Sequence, residues 1–204
     1  MPPHEIRIED ITGHAHFRRL ATLRGVRHEL RYAGFNNFAG VELYRGMDCA
    51  WLRAEAAAGL ETAAAWLAQR RPGWQLLVLD ALRPQRVQQA IWDDVVGTAM
   101  EHYFAHPQRG SIHSFGMAVD VTLVDPAGRE ADMGSGFDEM APASHPALHA
   151  EHLKSGVLTP AHVAERECLA AAMAQGGFHG IATEWWHFDH GDREAVRRAW
   201  PRVV

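Results

Sequence analysis

The stretch from Met117 to Val124 constrains this chain more than any other. Ala118, Asp120 and Thr122 fall on one face and Val119, Val121 and Leu123 on the other. That period of two predicts a half-buried strand. A carboxylate on its small-residue face is costly to bury without a partner. A partner lies seven positions earlier, at His113. In one continuous strand an odd separation would send the two side chains to opposite faces. If His113 sits in a loop and Gly116 turns the backbone, both converge on one point.

Around this stretch, helices interleave with a few strands. Trp51 to Arg71 carries Leu52, Ala56, Leu60, Ala63 and Leu67 at helical steps, and Pro72-Gly73 ends the helix. Gln75 to Asp80 is a short apolar run that predicts a buried strand. Pro84 opens a second helix, striped by Val87, Ile91 and Val95 and reaching about His102. Residues 106–116 read as loop, and residues 125–158, rich in Pro, Gly, Ser and Asp, as a long functional loop region. Thr159-Pro160 starts a last long helix and Gly176-Gly177 stops it, after which Thr183 to Phe188 reads as a strand. No βαβ rhythm appears. The expectation is an α+β fold in which residues 1–204 form one domain, a central, mainly antiparallel sheet packed by helices.

Composition excludes several classes of partner. The chain of 204 residues has a net charge of −5, with no polybasic run, so nothing favours nucleic acid or an anionic membrane. Cys49 and Cys168 form no metal-type spacing, which makes a disulfide framework unexpected and a cytoplasmic address the default. Met1 to Arg19 lacks the apolar core of a signal peptide, so a periplasmic address would require a leader removed beforehand. Oligomeric state is not legible, and a homo-oligomer stays open. Fourteen His beside two Cys direct attention to metal or proton chemistry.

Imidazole and carboxylate, as in His113 and Asp120, are a normal zinc ligand pair. Glu184-Trp185-Trp186-His187 supplies the rest of a catalytic site. His187 would be a third ligand, leaving a fourth position for water. Glu184 would be a non-ligand carboxylate able to take that water's proton. Arg83, in Asp80-Ala-Leu-Arg83-Pro84, could aim a fixed cation at charge developing on a carbonyl oxygen. Trp185 and Trp186 would wall the site.

Four segments in this order resemble the zinc D-alanyl-D-alanine dipeptidases, a family that includes the vancomycin-resistance dipeptidase. They are Asp80-Ala-Leu-Arg-Pro, Ser111-x-His113-x-x-Gly116-x-Ala118-x-Asp120, Met133-Gly-Ser-x-Phe137-Asp138 and Glu184-Trp-Trp-His187. Tyr32-Ala33 followed by Asn37-Phe38 is similar to that family's amino-terminal segment. The resemblance runs from about Tyr32 to His187. It implies a zinc site like that of the related D,D-carboxypeptidases and the hedgehog domain, with one Zn2+ per chain. By resemblance His113, Asp120 and His187 are the ligands and Glu184 the base. Arg83 stabilises the tetrahedral intermediate, Ser111 lies near the substrate carboxylate, and Tyr32 and Asp138 lie near its free amino group. The implied substrate is a small dipeptide such as D-Ala-D-Ala. The sequence departs from the family pattern at Ile112, at Gly136 and throughout residues 142–158.

Two rivals remain at this point: a D,D-carboxypeptidase or endopeptidase acting on longer wall peptides, and a non-catalytic zinc-bearing binding module. The second has no need of Glu184 or Arg83. His145, His149 and His152 could share one helical face as a second metal array, but no carboxylate accompanies them. His102 and His106 are accounted for as cations at a helix C-terminus. HExxH, GxSxG, P-loop and GxGxxG motifs are all missing.

Overall fold

The computed structural model describes residues 5–204. The strands and helices are β1 (Phe17–Arg19), β2 (Val26–His28), β3 (Trp51–Arg53), α1 (Ala54–Arg70), β4 (Gln75–Asp80), α2 (Gln85–Val95), β5 (Ala118–Val124), α3 (His149–Ser155), α4 (Pro160–Gln175), β6 (Phe178–Gly180), β7 (His187–His190) and α5 (Arg193–Ala199). A five-stranded sheet runs β2-β4-β5-β7-β6, and only the β2–β4 pair is parallel. Strands β1 and β3 form a separate antiparallel pair. The expected α+β architecture with a mainly antiparallel sheet is therefore present.

Helices α1 and α4 cover one face of the sheet. Leu60, Ala63, Leu67, Leu169, Ala172 and Met173 join Leu76, Val78, Val119, Val121 and Leu123 in the main core. The two helices touch at a glycine pair. A Cβ on Gly59 would lie 2.3 Å from the Gly176 carbonyl oxygen, and one on Gly176 would lie 2.2 Å from that of Gly59. The opposite face carries Leu77, Leu79 and Val124, closed over by Phe137 from the long loop. Both faces are covered, so β5 is buried along its whole length rather than half-buried as its alternation predicts.

Five other segments differ from expectation. Trp51 to Arg53 pairs with β1 as a strand before α1 begins. Helix α2 stops at Val95, and Gly97 follows in the left-handed region at φ +78°. The 106–116 loop contains a 3-10 turn, Ile112–Phe115, and the 125–158 segment contains α3 and two further 3-10 turns. The last strand starts only at His187, so Thr183 to Trp186 is a bent segment leading into it. The final long helix is placed as expected. Thr159 caps it by accepting a bond from the His162 backbone NH, and His162 completes a capping box.

The sheet register positions the site. Asp80 of β4 stands opposite Asp120 of β5, just after a bulge, and Asp120 stands opposite His187 of β7. Paired residues of adjacent strands present their side chains to the same face. One row across three strands therefore gathers three chemistry-bearing side chains at one end of the sheet.

Candidate active site

His113 reaches that row through the turn before β5. The 3-10 turn Ile112–Phe115 closes at Gly116 with φ +68°. A Cβ there would lie 2.9 Å from the Phe17 ring and 3.2 Å from the Arg53 backbone nitrogen, so both conformation and space require glycine. The turn carries His113 over the start of β5, the convergence the odd spacing needs. His113 Nε2 lies 3.3 Å from Asp120 Oδ1 and 3.1 Å from His187 Nδ1. His187 Nδ1 is 3.0 Å from the same Asp120 oxygen. Among the described residues this is the one cluster of three or more His, Cys, Asp or Glu in ligating proximity, its donor atoms all within 4.8 Å.

The outer nitrogens show what the cluster needs. His113 Nδ1 lies 2.7 Å from the Ala81 carbonyl oxygen, which can only accept, so Nδ1 carries the proton. His187 Nε2 lies 3.0 Å from Asp189 Oδ1 and donates to it. With those outer nitrogens protonated, neutral rings would turn both inner lone pairs toward each other and toward a carboxylate. Three acceptors this close repel unless positive charge lies among them. Two imidazoles and one carboxylate are the donor set of a three-ligand zinc centre with an open position, so the residues fit a divalent ion. The titration of the cluster shows the same demand. Burial disfavours charge on His187, yet Asp189 and Asp120 hold its pKa well above the ordinary value. Asp120 is buried too, but His113 and His187 hold it well below the usual carboxylate range. Asp189, despite burial, is lowered to about 2 by His187 and Arg193.

Glu184 is 7% exposed and makes no hydrogen bond or ion pair among the described residues. Burial pushes its pKa up to about 7, with the Asp120 charge adding to the rise and His187 opposing it. Arg83 is buried and fixed on several sides. Its Nε and Nη2 donate to Asp80 Oδ2 at 3.1 and 2.7 Å and its Nη1 to Gln88 Oε1 at 3.2 Å, while its guanidinium lies 4.8 Å over the Tyr32 ring. The other Asp80 oxygen accepts from the Tyr44 hydroxyl. Asp138 takes a left-handed φ of +58°, which Asp tolerates better than most residues, and its Oδ2 accepts from the Phe38 backbone NH at 3.2 Å. Burial, reinforced by the Asp120 charge, raises the Asp138 pKa well above the ordinary value against the pull of Arg83.

A cavity of about 390 Å³ is lined by Tyr32, Arg83, Ser111, His113, Asp120, Asp138, Glu184, Trp186 and His187, together with residues from the 102–109 segment and α5. Nine of the ten residues singled out from sequence are thus brought together. Trp185 is the exception. Its Nε1 donates to Ser135 Oγ at 3.1 Å and its ring lines a different depression, beside Thr122 and Met133. The bend at residues 185–186 separates the two rings, which meet edge to face at 5.4 Å, so only Trp186 walls the site. The three-histidine array disperses. His145 contacts the Tyr103 hydroxyl, His149 the Arg166 guanidinium, and His152 bonds the Pro142 carbonyl. His102 and His106 both line the cavity beyond the end of α2, His102 in the 3-10 turn Glu101–Tyr103 and His106 packed 4.7 Å from the Trp92 ring. Sequence reasoning gave no role to Asp189, although His187-x-Asp189 in a strand places both on one face. Asp80 lay inside a recognised motif, but only the register shows it as the anchor of Arg83.

Comparison with known proteins identifies the family. The profile of the Peptidase_M15 family, described as D-ala-D-ala dipeptidase, matches residues 15–204. A D-alanyl-D-alanine dipeptidase of Escherichia coli is 39% identical over 161 residues, covering 79% of this chain and 77% of its own. The D-alanyl-D-alanine dipeptidase of Streptomyces coelicolor is 32% identical over 185 residues, with 80% and 85% covered. That of Synechocystis is 28% identical over 180 residues, with 74% and 73% covered.

Proposed function

The chain belongs to the D-Ala-D-Ala dipeptidase family of M15 peptidases, and on that premise we propose that it is a zinc-dependent dipeptidase hydrolysing D-alanyl-D-alanine, or a similarly small dipeptide, to free amino acids. One observation carries the reading: a His-Asp-His cluster, an unpaired buried glutamate and a fixed arginine share one cavity. His113, Asp120 and His187 would hold the ion. When bound, zinc supplies a Lewis acid that acidifies water and polarises a carbonyl. Glu184 accepts the proton of the attacking water and returns it to the leaving amine. Burial favours its neutral, proton-carrying form and a bound dication its charged form, so the side chain can both take the proton and give it up. Arg83 presents positive charge to the carbonyl oxygen as it becomes anionic, and needs no reorganisation because Asp80 and Gln88 already hold it. Ser111 donates to the substrate carboxylate.

Asp138 supports a dipeptide over a longer peptide. It is 7% exposed in a cavity of limited volume. A free ammonium brought there restores the ionised carboxylate that burial disfavours, whereas an internal peptide bond offers no charge. Residues 1–204 would act as one catalytic domain, and no described helix is long and apolar enough to cross a membrane. A lack of nucleic-acid or anionic-membrane partners fits the net charge of −5, and a cytoplasmic address fits two cysteines that are both free. Offering D-Ala-D-Ala and a wall pentapeptide side by side tests the reading. D-alanine should appear only from the dipeptide. Cleavage of the pentapeptide with the dipeptide untouched would make the protein a carboxypeptidase.

A further inference from the structure

Strand β7 and helix α5 build a support behind the metal cluster that the reaction does not itself require. Asp189 follows His187 by two positions in β7, so both side chains lie on the same face. The register sets Asp189 opposite Ala118 of β5, whose small side chain leaves room for it. Asp189 is 2% exposed. One of its oxygens takes the Nε2 proton of His187 at 3.0 Å, and the other takes the Nε proton of Arg193, the first residue of α5. Each oxygen is thus committed to one donor and the carboxylate has no freedom to turn. The other histidine of the cluster is held differently: its Nδ1 donates to the neutral Ala81 carbonyl at 2.7 Å, and the nearest carboxylate oxygen, Asp80 Oδ2, is 3.7 Å away and already bonded by Arg83.

From this asymmetry we propose that Asp189, clamped by Arg193, is a positioning residue for the metal centre: it fixes the tautomer and ring plane of His187 and makes Nδ1 the stronger donor to the ion. A carboxylate on Nε2–H keeps that nitrogen protonated, so only Nδ1 can coordinate, and its negative charge shifts electron density toward Nδ1. The Ala81 carbonyl does the first for His113 but is neutral, and the Asp80 carboxylate beyond hydrogen-bond distance is balanced by its ion pair with Arg83. Arg193 keeps the carboxylate aimed, and its own side chain is 45% exposed, so it tunes rather than anchors. The inference rests on the reading of His113, Asp120 and His187 as metal ligands and adds the residue that sets the strength of one of them.

Competing the zinc-loaded chain against a chromophoric chelator tests it. Asp189→Asn keeps the size and one acceptor oxygen but removes the charge, and should weaken zinc binding about 10- to 100-fold. Asp189→Leu should weaken it further, and Arg193→Gln less, in the same direction. Substituting Co2+ gives a second readout, because the Asn variant should shift the visible absorption bands of the ion, which an indirect loss of stability would not do. Unchanged zinc affinity and cobalt spectrum in a folded Asp189→Asn protein would overturn the inference while leaving the ligand assignment standing. Failure of the unsubstituted chain to take up zinc would instead remove the ligand reading, and this inference with it.

Discussion

Glu184 and Asp120 are both carboxylates buried in one cavity, and their surroundings drive them apart. Asp120 meets two imidazoles and is held ionised, while Glu184 meets none directly and is pushed up to about 7. That contrast separates ligand from base. Glu184→Gln should keep full zinc content and lose on the order of 10²- to 10⁴-fold in kcat, read from metal analysis beside a D-alanine assay. Equal loss of zinc in Glu184→Gln and His187→Ala would contradict the two roles. The pH profile follows from the same residue. A base must be ionised, so kcat/KM should fall as pH drops through the Glu184 pKa. A bound dication lowers that pKa by favouring the charged form, so the acidic limb should lie below 7 in the loaded enzyme. Arg83→Lys keeps a charge but loses the fork that grips Asp80 and Gln88, and should cost kcat on the order of 10²-fold with metal content unchanged.

At the scale of elements, two glycines make contacts that no side chain could. Gly116 lets the His113 turn fold back against Phe17 and Arg53, and Gly59 lets α1 meet α4 at Gly176. Gly116→Ala combines a left-handed φ with a steric clash, so it should destabilise the fold by at least about 1 kcal/mol in chemical unfolding and loosen zinc as well. Gly59→Ala should also destabilise the fold in chemical unfolding, because its Cβ would meet both the Gly176 carbonyl and the His190 ring at the end of β7. The first of these glycines was legible in the sequence, since the odd His113–Asp120 spacing demanded a turn between them. The second was not, as an isolated glycine within a helical pattern does not reveal what packs against it. Alternation in β5 revealed which residues share a face but not that a loop would cover the outer one. The Glu-Trp-Trp-His segment looked like a strand because aromatic residues favour strands. In the structure the strand begins at His187, with the Trp186 carbonyl accepting from the Val121 NH at 2.9 Å, and the bend before it turns Trp185 away.

For the whole molecule, the site is assembled from parts distant in sequence. The row Asp80, Asp120 and His187 exists only because β4, β5 and β7 are neighbours, an order that local periodicity cannot express. Arg53 adds a brace from outside the sheet. It is buried, donates to the Phe115 and Pro201 carbonyls, and lies between the Phe17 and Trp200 rings with centroid distances of 4.7 and 4.3 Å. The metal should brace the same assembly. An ion that binds only the folded state at a thousandfold its Kd adds about 4 kcal/mol, so chelation should lower the melting temperature. Gln75 to Asp80, the Met117 to Val124 strand and the final helix were readable because each carries its own pattern. The support behind His187 was not, because it depends on α5 returning to β7. The central claim, a metal-dependent dipeptidase, is tested most directly by one titration: D-alanine released from D-Ala-D-Ala, followed as the chain is stripped by chelator and reloaded with zinc. Activity should vanish on stripping and return in full at one zinc per chain. Release that persists in the stripped protein, or none in the fully loaded one, would contradict the account.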